Sequence, residues 1–73
     1  MRISNKLRNY IRVVESCSGG LQGYLRGVDR SRIIEDLEMF GININKEYSF
    51  ITKKSLGIIL TIIILDAKRA WRG

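Results

Sequence analysis

Residues 56–65 constrain the fold of this 73-residue chain more than any other segment. They include five isoleucines and no charged side chain, and they lead directly into a basic tail that carries Trp71. When these residues are placed every 100° around a helix, apolar side chains cover most of the circumference. Such a helix lies at the centre of a bundle, in an oligomer interface or in a membrane. What covers this segment therefore decides the fold and the oligomeric state.

The same segment is also compatible with a β-strand, because β-branched residues favour strands. Two features favour a helix. The apolar residues do not alternate with polar ones, and residues 66–71 continue the segment with good helix formers. We expect a helix that begins after Thr52 or Ser55 and ends near Trp71.

We do not expect this helix to span a membrane. Ten helical residues extend about 15 Å, which is half of a hydrocarbon core of about 30 Å. Lys53 and Lys54 limit the apolar segment on one side, and Asp66 limits it on the other. A membrane-active, bacteriocin-like peptide would share the size, the charge and the tryptophan, but the acidic segment around Glu35 favours a soluble domain.

The length predicts one domain over residues 1–73, and such a domain buries only about 60% of its unfolded surface. Cys17 is the single cysteine and histidine is absent, so an intrachain disulfide is excluded and a zinc site is not expected. We expect no metal and no cofactor. Stability then depends on packing or on self-association as a homodimer or higher oligomer. The lone cysteine and the lack of a signal-peptide pattern favour the cytoplasm.

Two helices are predicted before the Ile-rich segment, because apolar residues recur at helical spacing. The first covers residues 5–17 after Ser4. The second starts at Arg30 or Arg32 and runs to Phe40, where Gly41 can end it. Three carboxylates of the second helix, Glu35, Asp36 and Glu38, are expected to face solvent. The predicted buried stripes consist of Leu7, Tyr10, Ile11, Val14, Ile33, Ile34, Leu37 and Phe40.

Two further segments are less clearly defined. Residues 21–28 have helical spacing, but Gly23 and Gly27 each cost about 1 kcal/mol in a helix relative to alanine. An extended connector is the alternative. Residues 42–51 alternate apolar and polar side chains, which predicts a short hairpin or extended segment packed on the helices. The expected fold class is mainly α, with three or four helices and the C-terminal Ile-rich helix as core and oligomer interface.

The net charge of +6 is unevenly distributed. Residues 1–28 and 48–73 each carry five basic residues and one acidic residue, whereas residues 29–47 carry three basic and five acidic ones. Two basic ends favour a polyanionic partner such as DNA or RNA, and a merely solvated basic surface is the alternative. The candidate phosphate contacts are Arg8, Arg12, Lys53, Lys54, Lys68, Arg69 and Arg72.

Tyr10 and Trp71 lie among these basic residues, where aromatic rings could stack on bases. The alternative is that both rings pack against the fold. The helix that precedes Gly41 also resembles the first helix and turn of a helix-turn-helix, although Glu47 would then occupy a position that is normally apolar. A glycine C-cap is the simpler interpretation.

The sequence predicts no enzyme. Without histidine the usual general base is missing, and Cys17 has no partner that could activate it. We expect a small basic regulatory protein that binds nucleic acid as an oligomer, of the kind that phages and mobile elements encode. The alternative is an interaction module or inhibitor that docks on a host protein. The candidate interface residues are Leu56, Ile59, Ile62, Ile63 and Trp71.

Overall fold

The computed structural model describes residues 4–45 and 51–71, and these residues form four α-helices and no strand. The helices are α1 (Asn5–Ser16), α2 (Gly20–Gly27), α3 (Arg30–Met39) and α4 (Lys53–Ala70). The closest helix pairs are α3 with α4 and α1 with α2. The expected mainly α fold, with the C-terminal helix packed against the others, is confirmed.

Three of the helices begin at a residue whose side chain caps the first turn. Ser4, Asp29 and Thr52 each accept a hydrogen bond from the backbone N–H three residues further on. These N–H groups have no partner within the helix, so the caps satisfy donors that would otherwise be unpaired. Ser55, the other start considered for the last helix, lies inside α4.

Helix α2 settles the ambiguity of residues 21–28 in favour of a helix. Gly19 adopts a φ of +84°, which lets the chain turn sharply after α1. A Cβ atom added at Gly23 would lie 1.8 Å from the carbonyl oxygen of Ser18. Gly23 is therefore required by the close approach of the preceding turn, whereas Gly27 faces open space.

Helix α3 ends at the glycine C-cap that its sequence predicts. Gly41 adopts a φ of +83°, and the two backbone N–H groups after Phe40 bond back to carbonyls of the last turn. Residues 42–45 form neither helix nor strand, so no recognition helix follows the glycine directly. The remainder of the predicted 42–51 hairpin includes residues 46–50, which lie outside the described residues.

One side of α4 forms the centre of the core. Leu56, Leu60, Ile64 and Ala67 recur along that side and are at most 1% exposed. They pack against buried side chains of α1 and α3, namely Ile11, Ile33, Ile34 and Leu37. Burial of a Leu or Ile side chain contributes about 1.5–3 kcal/mol. The shorter helices thus cover one arc of α4 and not its whole circumference.

Asp36 lies in this core, which corrects the expectation that it faces solvent with Glu35 and Glu38. Its residue surface is 2% exposed, whereas both glutamates are exposed. The physical reason is its position. Asp36 follows Ile33 by three residues and precedes Phe40 by four, so it shares their face of the helix.

The buried carboxylate of Asp36 has partners from three helices. The hydroxyl of Tyr10 on α1 donates to Oδ2 at 2.8 Å, and the hydroxyl of Tyr24 on α2 donates to the same oxygen. Nε of Arg32, one turn earlier on α3, lies 3.2 Å from Oδ1. A buried charge is tolerated when it is paired and hydrogen-bonded in this way. The carboxylate therefore fixes α1 and α2 relative to α3.

Tyr10 makes the stability of the fold sensitive to alkaline pH. Burial, together with the hydrogen bond to Asp36, raises the pKa of Tyr10 above its ordinary value. Tyrosines of the unfolded chain ionise near pH 10, while Tyr10 in the fold keeps its proton. The stabilisation from Tyr10 is therefore complete below about pH 10 and is lost as the pH rises further.

Tyr10→Phe is expected to remove this pH dependence. At pH 8 the variant should be less stable by about 1.5–3 kcal/mol, because it loses a hydrogen bond to a charged group. Above pH 10 the difference should shrink by up to about 1.4 kcal/mol per pH unit. Urea unfolding at several pH values measures it. A difference that stays constant to pH 11 would contradict the buried, protonated tyrosine.

Gly23→Ala and Gly27→Ala form a matched pair on α2. Gly23→Ala should destabilise the fold by at least about 2 kcal/mol, because its methyl group collides with backbone. Gly27→Ala should instead stabilise it by about 0.5–1 kcal/mol, since alanine is the better helix former. Urea unfolding compares the two variants with the parent chain. If both variants changed the free energy of unfolding by a similar amount, helix propensity alone, and not the contact with Ser18, would determine the effect of Gly23→Ala.

Candidate functional site

Folding brings two basic residues of α1 to the tryptophan that ends α4. The guanidinium carbon of Arg8 lies 5.6 Å from the ring centroid of Trp71, and that of Arg12 lies 5.4 Å away. These distances allow cation–π attraction, which contributes about 0.5–1 kcal/mol at exposed sites. The two ends of the sequence therefore meet at one surface.

The last turn of α4 adds Lys68 to this surface. Nζ of Lys68 lies 2.6 Å from Oε2 of Glu15, and both side chains are 42% exposed. An exposed pair of this kind contributes at most about 1 kcal/mol. Arg69, the next residue, is also exposed. We define the cationic end as Arg8, Arg12 and Lys68 beside Trp71, together with Arg69, which lies on the outer side of the same turn of α4 near Leu65 and Asp66.

The predicted phosphate contacts do not all lie at the cationic end. Lys53 and Lys54 are exposed at the other end of α4, about 21 Å along the helix axis from Lys68 and Arg69. Arg72 lies outside the described residues. The structure thus brings three of the seven predicted basic residues together beside Trp71, and a fourth, Arg69, lies on the same turn of α4.

The ring of Trp71 has a structural role at the cationic end. It is partly buried and packs against the hydrophobic core. The Nε atom of Arg8 is buried and has no hydrogen-bond partner among the described residues, so this guanidinium is held partly inside the fold. Because the protein's own arginines lie over the ring, a base could stack there only by displacing them. The geometry favours phosphate contact over base stacking.

The predicted interface residues on α4 are mostly covered by the chain itself. Leu56 is 0% exposed because its side of α4 faces the core. Ile59, Ile63 and Trp71 are partly buried. Ile62 alone of the five is largely exposed, at 61%. The apolar surface that remains exposed lies on an arc of α4 that shares only Ile62 with the predicted residues.

That arc carries Ile58, Ile62 and Leu65, which are 53%, 61% and 52% exposed. They recur at i, i+4 and i+7 and so form one stripe. A groove of about 610 Å³ runs beside the stripe, between α2 and α4. Most of the surface that lines the groove is apolar. Ile58 and Ile62 of the stripe form part of its wall, together with Leu25, Gly57, Thr61, Gln22 and the basic residues Arg26, Lys53 and Lys54. Ile58, Leu65 and Arg26 were not predicted as site residues.

Other kinds of site are not indicated. The described residues hold no group of three or more cysteine, aspartate or glutamate side chains arranged for a metal ion. Among the helices of residues 4–45 and 51–71, none combines the length and apolar character that a bilayer crossing requires. No protein-family model, no curated protein and no solved structure matches the chain. The geometry of the chain is therefore the basis for assigning its function.

Trp71→Ala is expected to destabilise the fold by about 2 kcal/mol, because it removes a partly buried ring that packs on the core. Val13→Ala is the matched control, since Val13 is 63% exposed and its truncation should change stability by less than about 0.5 kcal/mol. Urea unfolding measures both effects. A Trp71→Ala variant as stable as the control would mean that the ring serves a partner and not the fold.

Proposed function

We propose that this protein is a small, non-enzymatic regulator that binds nucleic acid through its cationic end. The carrying observation is the meeting of Arg8 and Arg12 with Trp71 and the last turn of α4, which carries Lys68 and Arg69, in a chain whose net charge is +6. Proteins that neutralise several phosphates with lysine and arginine gain most of their affinity from counterion release. We further propose that it acts in the cytoplasm, as regulators encoded by phages and mobile elements do.

The positions and partners of the acidic side chains support this proposal. Asp36 is buried, Asp29 caps α3 and Glu15 pairs with Lys68. Asp36 and Asp29 interact within the fold away from the cationic end, whereas Glu15 lies at that end and offsets the charge of Lys68. The exposed pair Glu35 and Glu38 belongs to α3, and neither belongs to the cationic end. A polyanion would therefore meet an uneven surface with one clearly basic region.

Arginine geometry supports contact with phosphates in particular. A guanidinium group offers planar, paired donors that match phosphate oxygens. Arg12 and Arg69 are exposed and can donate these hydrogen bonds to a ligand that approaches from solvent. Contacts to phosphates carry no sequence information, so we expect DNA and RNA duplexes to bind with little preference among sequences. Lys53 and Lys54 stay predicted contacts for a ligand long enough to reach the far end of α4.

Salt dependence tests this proposal. Four phosphate contacts predict that log K falls with log salt concentration at a slope of about −3.6 on duplex DNA. Fluorescence anisotropy with a labelled duplex of about 20 base pairs, between about 50 and 200 mM salt, measures the slope. The proposal would be refuted if the protein bound neither DNA nor RNA, or if its affinity did not change with salt concentration.

Arg69→Gln should reduce the magnitude of that slope by about 0.9, because it removes one phosphate contact. Arg26→Gln is the matched control. Arg26 is also an exposed arginine in the last turn of a helix, but it lies on α2, outside the cationic end. The control should keep the slope of the parent chain. An equal loss in both variants would show that only net charge matters and that the cationic end is not the site.

A second candidate function is docking on a host protein, favoured by the exposed stripe of Ile58, Ile62 and Leu65 beside the α2–α4 groove. Exposed apolar patches of several hundred Å² commonly mark interaction sites. A complex of this kind should survive nuclease treatment. It should weaken with Ile62→Asp and not with Arg69→Gln, which separates it from binding to nucleic acid.

A further inference from the structure

Four residues of α4 form a row along its exposed side at a spacing of four residues. They are Lys54, Ile58, Ile62 and Asp66, and all four are exposed. The row begins with a cation, continues with two isoleucines and ends with an anion. Within the described residues, neither Lys54 nor Asp66 belongs to an ion pair. We call this set the α4 row.

The order of charges makes the α4 row complementary to itself when one copy is reversed. In an antiparallel pair of α4 helices, a twofold axis can pass midway between Ile58 and Ile62. Lys54 of each copy then faces Asp66 of the other, and Ile58 faces Ile62. Each contact occurs twice, as a twofold interface requires. Rows of residues four apart are also the ridges through which helices most often pack, at a crossing angle of about −50°.

We propose that a second copy of this chain packs antiparallel on the α4 row and forms a homodimer. The dimer covers the two exposed isoleucines and pairs both charges at the ends of the row. A host protein or a lipid surface would cover the isoleucines equally well. Neither has reason to match a cation at one end of the row and an anion at the other, whereas the reversed copy matches both.

The groove beside the row gives space for the side chains of the second copy. Gly57 and Thr61 lie along its α4 side and are small. The hydroxyl of Thr61 donates to the carbonyl oxygen of Gly57 at 2.7 Å. Because that hydroxyl is already satisfied within the helix, covering it with an isoleucine of the second copy leaves no donor unpaired. Apolar side chains can therefore enter the groove without loss of a hydrogen bond.

The expected interface is small. A standard interface covers about 800 Å² on each partner, and the described chain exposes 5065 Å² in total. The row, Leu65 and the groove involve far fewer residues than the roughly 20–30 on each side of a standard interface, so we expect a weak dimer with a dissociation constant in about the micromolar range. Sedimentation equilibrium over micromolar to millimolar concentrations, without nucleic acid, should show a reversible shift from monomer to dimer mass.

Charge reversal tests the antiparallel register. Lys54→Asp and Asp66→Lys should each weaken self-association at least tenfold, because like charges then meet at both ends of the row. A mixture of the two variants should form a mixed dimer, since opposite charges again meet at both ends. The doubly reversed chain, K54D/D66K, should dimerise as the parent chain does. Circular dichroism confirms that each variant is folded before its mass is compared.

Two variants that replace an apolar residue with aspartate test where the dimer interface lies. Ile62→Asp should give only monomer at millimolar concentration. Val13→Asp introduces the same charge at a site that is 63% exposed and outside the row, so it should dimerise like the parent chain. A parent chain that stays monomeric would overturn the proposal. So would a mixture of the two charge variants that associates no better than each alone, or Ile62-dependent binding to phosphatidylglycerol vesicles by a monomeric chain.

Discussion

The fold depends on the burial of one apolar helix, and the rest of the short chain provides little apolar surface to cover that helix. Helix α4 carries the most apolar segment, and α1 to α3 together provide only enough apolar surface for one of its sides. With one cysteine, the chain cannot crosslink itself, so the packing of Leu56, Leu60 and Ile64 has to stabilise the fold. Most other features follow from which side of α4 faces inward.

The surface is a consequence of that orientation. Turning Leu60 and Ile64 inward leaves Ile58 and Ile62 outward, because residues two positions apart lie on roughly opposite sides of a helix. The same orientation brings Trp71 beneath α1, where Arg8 and Arg12 lie over its ring. One helix therefore provides an apolar surface along its length and a basic surface at its C-terminal end.

Local chemistry made much of the fold predictable from sequence. The cap at Ser4, the glycine stop at Gly41 and the apolar stripes of α1 and α3 depend only on neighbouring residues. Helix α2 was ambiguous because propensity counts both glycines equally, whereas only Gly23 approaches the backbone of Ser18. That approach is a property of the folded turn and has no sequence signal.

The differences between expectation and structure have a similar origin. Asp36 was assigned to solvent by its charge, although its spacing from Ile33 and Phe40 already indicated the buried face. Leu56 and Ile58 could not be distinguished, because an all-round apolar helix does not indicate which arc its neighbours will cover. The basic residues at the two ends of the sequence were recognised individually. Their meeting at Trp71 depends on tertiary packing between α1 and α4, which spacing along the chain does not determine.

The cluster around Asp36 also has a kinetic consequence. Its hydrogen-bond donors belong to α1, α2 and α3, so the full set of bonds can form only after all three helices have docked. Interactions that form late in folding contribute little to the folding rate and act mainly by slowing unfolding. For a domain of this size, a slow unfolding rate protects against proteases when cleavage outpaces refolding. We therefore expect the buried carboxylate to prolong the lifetime of the folded chain, in addition to fixing the relative positions of its helices.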